Sequence, residues 1–389
     1  MAVQEVSEMG NLEQVISIIN KEFGGEVVTK GTHRVYVEKI PFNSPRVNYL
    51  TYGGIPVGKS TEFFGEEGSG KTTSALVVVA SAQRRARRLH EEELSFLSSE
   101  LEQKLSKTVT KQHEERKAYL EKAGPRKAVY VDTENSLDEE WARVHGVDTE
   151  EMVLIRPQDQ TAEEVLQMML DILKTGDVEI LVLDSIPMLI PQQLYDENLD
   201  KKSYAGASAP LTQFASRVSA VISKHRTAMI LINQMREDMN NPYNIYHTPG
   251  GRALKHLYGL RLFFRKGTYI NIKNEELTRA ASTEPAGNMV DVHVAKTKVC
   301  KPDRRIGQYT LKYHSGVDVL ADTVYMAIKY NIIVQSGSWY SLISEDGEVL
   351  ESNEGALKFQ GMPKLLDYLH SDEDTFKEIY DAVGAKLIE

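Results

Sequence analysis

The sequence predicts an α/β fold: a mainly parallel sheet with helices on both faces. Three observations carry this reading. The runs AVYVD (128–132), MVLI (152–155), EILVLD (179–184) and AMILIN (228–233) are continuously apolar, as strands buried on both faces are. The stretches between them, such as 161–174 and 207–224, place apolar residues at helical spacing. A glycine-rich segment, GEEGSGKT (65–72), stands directly between a strand over 61–64 and a helical stretch. Repeated βα units of this kind build a sheet covered on both sides.

Taken in order, NLEQVISIINKEF (11–23) reads as a short amphipathic helix that Gly24 and Gly25 end. A polar, irregular stretch leads to Gly53 and Gly54, so residues 1–50 form an N-terminal helix and linker. The core occupies 51–315. Within it, 84–127 interrupts the βα rhythm. Leu94, Leu97, Leu101, Leu105 and Val109 give this stretch one narrow apolar stripe, and it reads as a helical hairpin. It serves either as a solvated extension of the core or as a partner-docking or DNA-gathering arm. After Ser315 the elements shorten, and 316–389 is expected to be a small acidic α+β domain.

Of the 389 residues 41% are hydrophobic, ample for a core. The single cysteine, Cys300, excludes an internal disulfide framework and fits a reducing compartment. The N-terminus lacks a signal-peptide pattern, and no apolar run approaches the ~18–20 residues of a membrane span. The chain is therefore expected to be cytoplasmic and free of membrane contact. Its formal net charge of -10 is uneven: about 12 acids face about 4 bases over 345–389, whereas about 12 bases face about 8 acids over 84–127. A local polyanion-binding surface stays open.

GEEGSGKT fits the phosphate-binding pattern G-x-x-x-x-G-K-[ST] in its strand–loop–helix context. Gly65, Glu66, Glu67, Gly68, Ser69, Gly70, Lys71, Thr72 and Thr73 are its candidate nucleotide contacts. Backbone N–H groups close on the phosphates, and the helix N-terminus favours their charge. Lys71 reaches the β- and γ-phosphates, and the Thr72 hydroxyl takes a Mg²⁺ position, so ATP and Mg²⁺ are the expected cofactors. Asp184, ending a buried strand, is the second metal residue, steadied by Ser185. Glu134 ends another strand and can orient or deprotonate the attacking water. Gln234 closes a fourth strand, where an amide can bond a γ-phosphate and lose that bond after hydrolysis. Asp138 and Trp141 can flank the adenine, although Trp141 reads equally as core packing.

Past Gln234 comes NPYNIYHTPGGRALK (241–255), too polar and too broken by Pro and Gly to read as helix or strand. Gly250 and Gly251 permit close backbone approach to a phosphate chain. Arg236 and Arg252 supply charge at its ends. Tyr243, Ile245 and Tyr246 can stack on bases. A second polar loop over 195–208 carries Lys201, Lys202 and Tyr204 and would line the same channel. Without further information, both also read as plain surface loops.

The chain resembles the RecA family of homologous recombinases, of the bacterial type, over most of 11–343. IINKEFGG, GGIPVGKSTEFFGEEGSGKTT, VDTENSLDEEWARVHGVD, LVLDSIPMLIP, INQMR, TPGGRALK, VAKTKVCKPD and GSWYS follow the family's order. The resemblance implies a P-loop ATPase core that forms helical filaments on single-stranded DNA. Such filaments pair homologous duplex DNA and exchange strands in recombination and repair, sometimes with mediator or single-strand-binding proteins. It casts Lys71 and Thr72 as phosphate-loop residues, Glu134 as catalytic carboxylate, Asp184 as metal aspartate and Gln234 as sensor. Residues 197–204 and 235–250 match the two DNA loops. Lys296 and Lys298 match lysines that reach a neighbouring subunit's ATP; read alone, they are a solvated strand face. The 11–23 helix matches the segment that packs on the next subunit.

The hairpin at 84–127, a shorter and tyrosine-rich second loop, and His256 in place of an interface phenylalanine depart from the family pattern. They mark a divergent member and leave a viral origin open. Two other readings compete: a ring-forming helicase-like ATPase, which needs an N-terminal collar, and a non-catalytic nucleotide-binding regulator, which needs neither Glu134 nor the lysine pair.

Overall fold

The computed structural model describes residues 12–22, 28, 37–103, 106–195, 207–237, 246–278, 284–344, 346–352 and 355–387, with only the backbone at 236–237, 246–247 and 352. The chain divides into two compact units, Met1–Glu38 and Lys39–Glu389. In the first, α1 (Leu12–Glu22) is the expected amphipathic helix. The Asn20 side chain in its last turns donates to the Val28 carbonyl at 2.9 Å and accepts the Val28 N–H at 2.8 Å.

The second unit opens with α2 (Pro45–Thr51), capped by Ser44. There follow β1 (Ser60–Gly65), α3 (Lys71–Leu101), α4 (Lys107–Ala123), β2 (Lys127–Asp132), α5 (Glu139–Val144), β3 (Val153–Ile155), α6 (Ala162–Lys174) and β4 (Val178–Asp184). Next come α7 (Ser208–His225), β5 (Ala228–Gln234), α8 (Gly251–Leu257), β6 (Tyr258–Ile270), β7 (Gly287–Thr297), β8 (Ile306–Lys312) and β9 (Gly316–Val317). The sheet order is β9-β8-β7-β6-β1-β5-β4-β2-β3. From β6 to β3 every pair is parallel. The β7–β9 extension is antiparallel. The mainly parallel sheet is therefore as expected, with an antiparallel flank that apolar runs did not announce.

Strand alternation sends side chains to two faces. Phe63, Tyr130, Ile180, Val182, Ile230 and Ile232 pack under α3 in one core cluster. Val131, Leu181, Leu183, Met229 and Leu231 meet α6 and α7 in a second. α6 starts with a full capping box between Thr161 and Glu164, which satisfies two end N–H groups at once. Asp184 and Gln234 end adjacent parallel strands on the α3 side. Asn233, one residue before Gln234, faces the other way.

The expected hairpin exists, but its first arm is the phosphate-loop helix itself, continued to Leu101. Val109 therefore does not share a helix with Leu94, Leu97 and Leu101, because Ser106 caps a new one, and Leu105 lies outside the described residues. Leu97 and Leu120 are buried within the hairpin. Arg85 and Arg126 at its root both pair with the buried Glu179. The end of the 241–255 stretch also departs from expectation: Gly251–Leu257 is helix α8. Pro249 and Gly250 break the chain just before its first turn, and burial of Leu254 in the second core cluster holds the rest.

After β9, α9 (Val319–Lys329), β10 (Ile333–Ser336), β11 (Trp339–Leu342), β12 (Lys358–Gln360), α10 (Met362–Ser371) and α11 (Glu373–Leu387) build a smaller α+β region with its own core. Tyr49 of α2 packs against that core. Asp322 of α9 is wholly buried and accepts from Ser44 Oγ at 2.5 Å. Among the described residues, no helix is long and apolar enough to cross a membrane.

Candidate active site

β1 delivers the glycine-rich loop at the centre of the sheet. A Cβ on Gly65 would lie 2.1 Å from the Phe264 carbonyl oxygen, so only glycine lets the loop leave this closely packed strand. α3 begins at Lys71 with Gly70 before it and no side-chain cap, leaving its first N–H groups directed at the loop. Lys71 Nζ donates to the carbonyls of Gly65 at 3.1 Å and Glu66 at 2.5 Å. Burial lowers its pKa, while Asp184 and Glu134 act the other way. Ser69 Oγ closes the loop on the Glu66 carbonyl at 2.7 Å. Glu66, Glu67 and Gly68 stay exposed along it.

The carboxylates meet the loop from the next strands. Asp184 Oδ2 accepts from Thr72 Oγ1 at 2.8 Å and from Tyr130 Oη at 2.7 Å. Burial raises the Asp184 pKa, the two donors draw it back, and Glu134 and Asp132 push it up again. Glu134 Oε1 accepts from Ser185 Oγ at 2.5 Å and from Gln234 Nε2 at 3.2 Å. Thr133 fixes the turn, its hydroxyl donating to the Asp184 carbonyl at 2.9 Å and accepting the Ser185 N–H at 2.7 Å. Lys71, Thr72, Asp184, Ser185, Glu134 and Gln234, taken from four strand ends, thus form one constellation.

This donor set fits a magnesium ion. A hydroxyl and a carboxylate lie in contact beside two further acids, the pairing Mg²⁺ takes when nucleotide phosphates and water complete its shell. It also fits a triphosphate, through Lys71 and the uncapped helix start.

The adenine-flanking pair is arranged differently from a simple clamp. The Asp138 carboxylate caps α5 by accepting the Trp141 N–H at 3.0 Å. Trp141 Nε1 donates to Thr73 Oγ1 at 3.2 Å, and its ring packs on the core under α3 and edge-on to His145. Lys296 lies on β7, and Lys298 follows one residue past its end. Lys296 donates to the Lys255 carbonyl, and Lys298 to the His256 carbonyl at 3.1 Å. Burial and the neighbouring Lys298 and Arg261 lower the Lys296 pKa. Among the described residues, no hydrogen bond or ion pair joins either lysine to residues 65–73 of the same chain.

Lys201, Lys202, Tyr204, Tyr243 and Ile245 lie outside the described residues. The backbones at 236–237 and 246–247 pair as a two-rung antiparallel ladder at the neck of the second loop. Gly250 has φ 102° and starts α8; a Cβ there would lie 2.5 Å from Leu254 Cδ1. Gly251 has open space around it, and Arg252 is exposed.

Sequence reasoning missed Tyr130, Thr133, Asn233 and Arg261. Tyr130 could have been found, since it alternates onto the same face as Asp132 in a run of apolar residues. Thr133 and Asn233 are strand-end polar residues adjacent to chosen ones, with no separate signal.

The family described as RecA N-terminal domain matches residues 10–95 and 106–318, and the break between the two falls at the tip of the α3–α4 hairpin. Among curated proteins, the chain is 30% identical to Protein RecA of Thermus aquaticus, over 99% of this chain and 95% of that protein. It is 30% identical to Protein RecA of Aquifex aeolicus, over 92% and 89%. With Protein RecA of Thermus thermophilus it shares 31%, over 97% and 93%.

Proposed function

The chain belongs to the RecA family, and we propose that the constellation around Lys71 is the hydrolytic site of a DNA-dependent ATPase that works as a recombinase. The observation that carries the site assignment is the direct bond from Gln234 to Glu134, beside the Thr72–Asp184 pair. It supports a reading in which a base, a sensor amide and a metal position share the mouth of one phosphate loop.

ATP binds with its phosphates in the 65–73 loop, where Lys71 exchanges its carbonyl partners for β- and γ-phosphate oxygens. Thr72 and Asp184 would hold Mg²⁺, which would supply positive charge beside those oxygens. Glu134 accepts the proton of the attacking water, and Ser185 keeps its carboxylate oriented. Gln234 shifts its amide hydrogen bond from Glu134 to the γ-phosphate, and that bond is lost on hydrolysis. That switch lies two residues from the neck of the 235–250 loop, which with residues 197–204 holds single-stranded DNA. Lys296 and Lys298 reach the ATP of an adjacent copy in a filament, so turnover depends on assembly. The filament then pairs its single strand with duplex DNA and exchanges strands. Residues 1–50 act in assembly, 51–315 form the motor, and 316–389 form the acidic C-terminal domain.

Steady-state ATP hydrolysis with Mg²⁺, with and without single-stranded DNA, tests this. Stimulation of about tenfold or more, absent in Lys71→Ala, is expected. Equal rates with and without DNA would overturn the reading and favour a regulator.

A further inference from the structure

Glu62 lies in the middle of β1, at the centre of the large sheet, with 0% of its surface exposed. The hydrolytic steps above do not use it. A buried carboxylate requires partners, and these reach both sides of the molecule's chemistry. Asn233 Nδ2 donates to Glu62 Oε1 at 2.9 Å, and Arg261 Nε donates to Oε2. Asn233 Nδ2 also donates to the Pro249 carbonyl at 3.0 Å, and its Oδ1 accepts the backbone N–H of Gln234 at 3.1 Å. Arg261 Nη2 continues to Thr248 Oγ1 at 3.3 Å.

Strand register extends the contact. Glu62 is directly opposite Arg261 on β6, and Arg261 is directly opposite Lys296 on β7. Cross-strand partners share a face, so a carboxylate, a guanidinium and an ammonium form one rung across three strands. Thr248, Lys255 and Arg261 line a groove of about 640 Å³ above this rung.

We propose that Glu62 is a positioning residue that couples the Gln234 sensor, the base of the second DNA loop and the Lys296 cation. The proposal rests on the functional reading given above. Thr248 and Pro249 cannot move relative to β5 and β6 without breaking bonds to Asn233 or Arg261, and both of those are anchored on Glu62. A displacement of the Gln234 backbone therefore reaches the loop through one shared carboxylate. A displacement of the loop reaches Arg261 and changes the charge that Lys296 feels. Coupling of this kind is reciprocal: DNA must promote hydrolysis, and nucleotide must tighten DNA.

The test uses the full-length chain in two forms. Glu62→Gln keeps the shape but leaves Arg261 without its counter-charge. The pair Glu62→Leu with Arg261→Met removes the network without stranding a buried charge. Three quantities are read: affinity for a fluorescent ATP analogue without DNA, the KM and kcat of ATP hydrolysis with and without single-stranded DNA, and DNA affinity with and without nucleotide. The expected result is analogue affinity and DNA-free KM within about twofold of the unaltered chain. The DNA stimulation of kcat, and the tightening of DNA by nucleotide, should each fall about tenfold. If the unaltered chain is stimulated and both variants are stimulated equally, Glu62 does not couple anything, although the functional reading stands. Variants that fail to fold, or that lose analogue binding together with stimulation, assign Glu62 a purely structural role and overturn the proposal. No stimulation in the unaltered chain defeats the functional reading itself, and the proposal with it.

Discussion

Asp322 should make the attachment of the C-terminal region sensitive to pH, and the sign follows from its surroundings. The carboxyl is wholly buried between α2, β8 and α9. It accepts from Ser44 Oγ at 2.5 Å and from the Thr310 N–H and hydroxyl, each at 3.3 Å, with Arg46 3.7 Å away. Burial pushes its pKa from 3.8 up to about 7, against the pull of Arg46. Between those values the folded chain keeps a proton that the unfolded chain has lost. Stability is therefore greatest at the acid end of the window, falls as pH rises, and levels off above the folded value. A shift of about three units at about 1.4 kcal/mol each gives roughly 4 kcal/mol as the full span. Asp322→Asn stands in for the protonated form. Urea unfolding of both proteins, read by tryptophan emission from pH 5 to pH 8, isolates this group because every other titration is common to the two. The advantage of the Asn variant should widen by roughly 2.5 kcal/mol between pH 5 and pH 8, the part of the span that lies inside this range. Parallel stability curves across that range would refute the reasoning.

Four further outcomes are expected. Glu134→Gln should bind a fluorescent ATP analogue normally but lower kcat by about a hundredfold or more, the range of a lost general base; hydrolysis near the original rate would move the base elsewhere. Lys296→Ala should abolish DNA-stimulated hydrolysis while leaving analogue binding to the isolated subunit unchanged, which fluorescence titration checks. Tyr130→Phe deletes a donor to a buried carboxylate and should lower unfolding free energy by about 1.5–3 kcal/mol; an unchanged urea midpoint would contradict the bond. Replacing residues 96–105 with a short Gly-Ser turn should leave ATP hydrolysis within about twofold, since loop changes at a remote tip cost little. A large loss there would give the hairpin a part in the hydrolytic cycle.

The strands β2, β4 and β5 were legible because a parallel strand buried on both faces is apolar throughout, with its polar residue at the end. Asp184 and Gln234 stand at two of those ends and Glu134 two residues past the third, so the same strands pointed to the fold and to the candidate site residues. The antiparallel flank was not legible. β6 is 13 residues long and pairs with β1 on one side and β7 on the other, and its second half mixes exposed, half-buried and buried positions. Its pattern mixes charges with aromatics and has no single period. α8 was hidden for another reason: Gly250 and Gly251 look like a break, and here they mark where a helix starts. Glu62 was visible as a lone charge within STEFFG. Its partners, however, come from 171 and 199 residues further along the chain, a distance no local pattern spans.

The hairpin leaves the sheet at the end opposite the phosphate loop. Its root is fastened by Arg126 to the carbonyl of His225 at 2.7 Å, by Tyr119 to Asp177 at 2.5 Å, and by Arg85 to Glu179. All three anchors lie where β4 and β5 begin, whereas Asp184 and Gln234 lie where those seven-residue strands finish. About 20 Å of strand separates the two ends. The protein thus has one end held to its chemistry and another on which lineage can experiment. A longer arm, a different tip or a new set of charges can be tried there generation after generation, and the motor need not be redesigned each time.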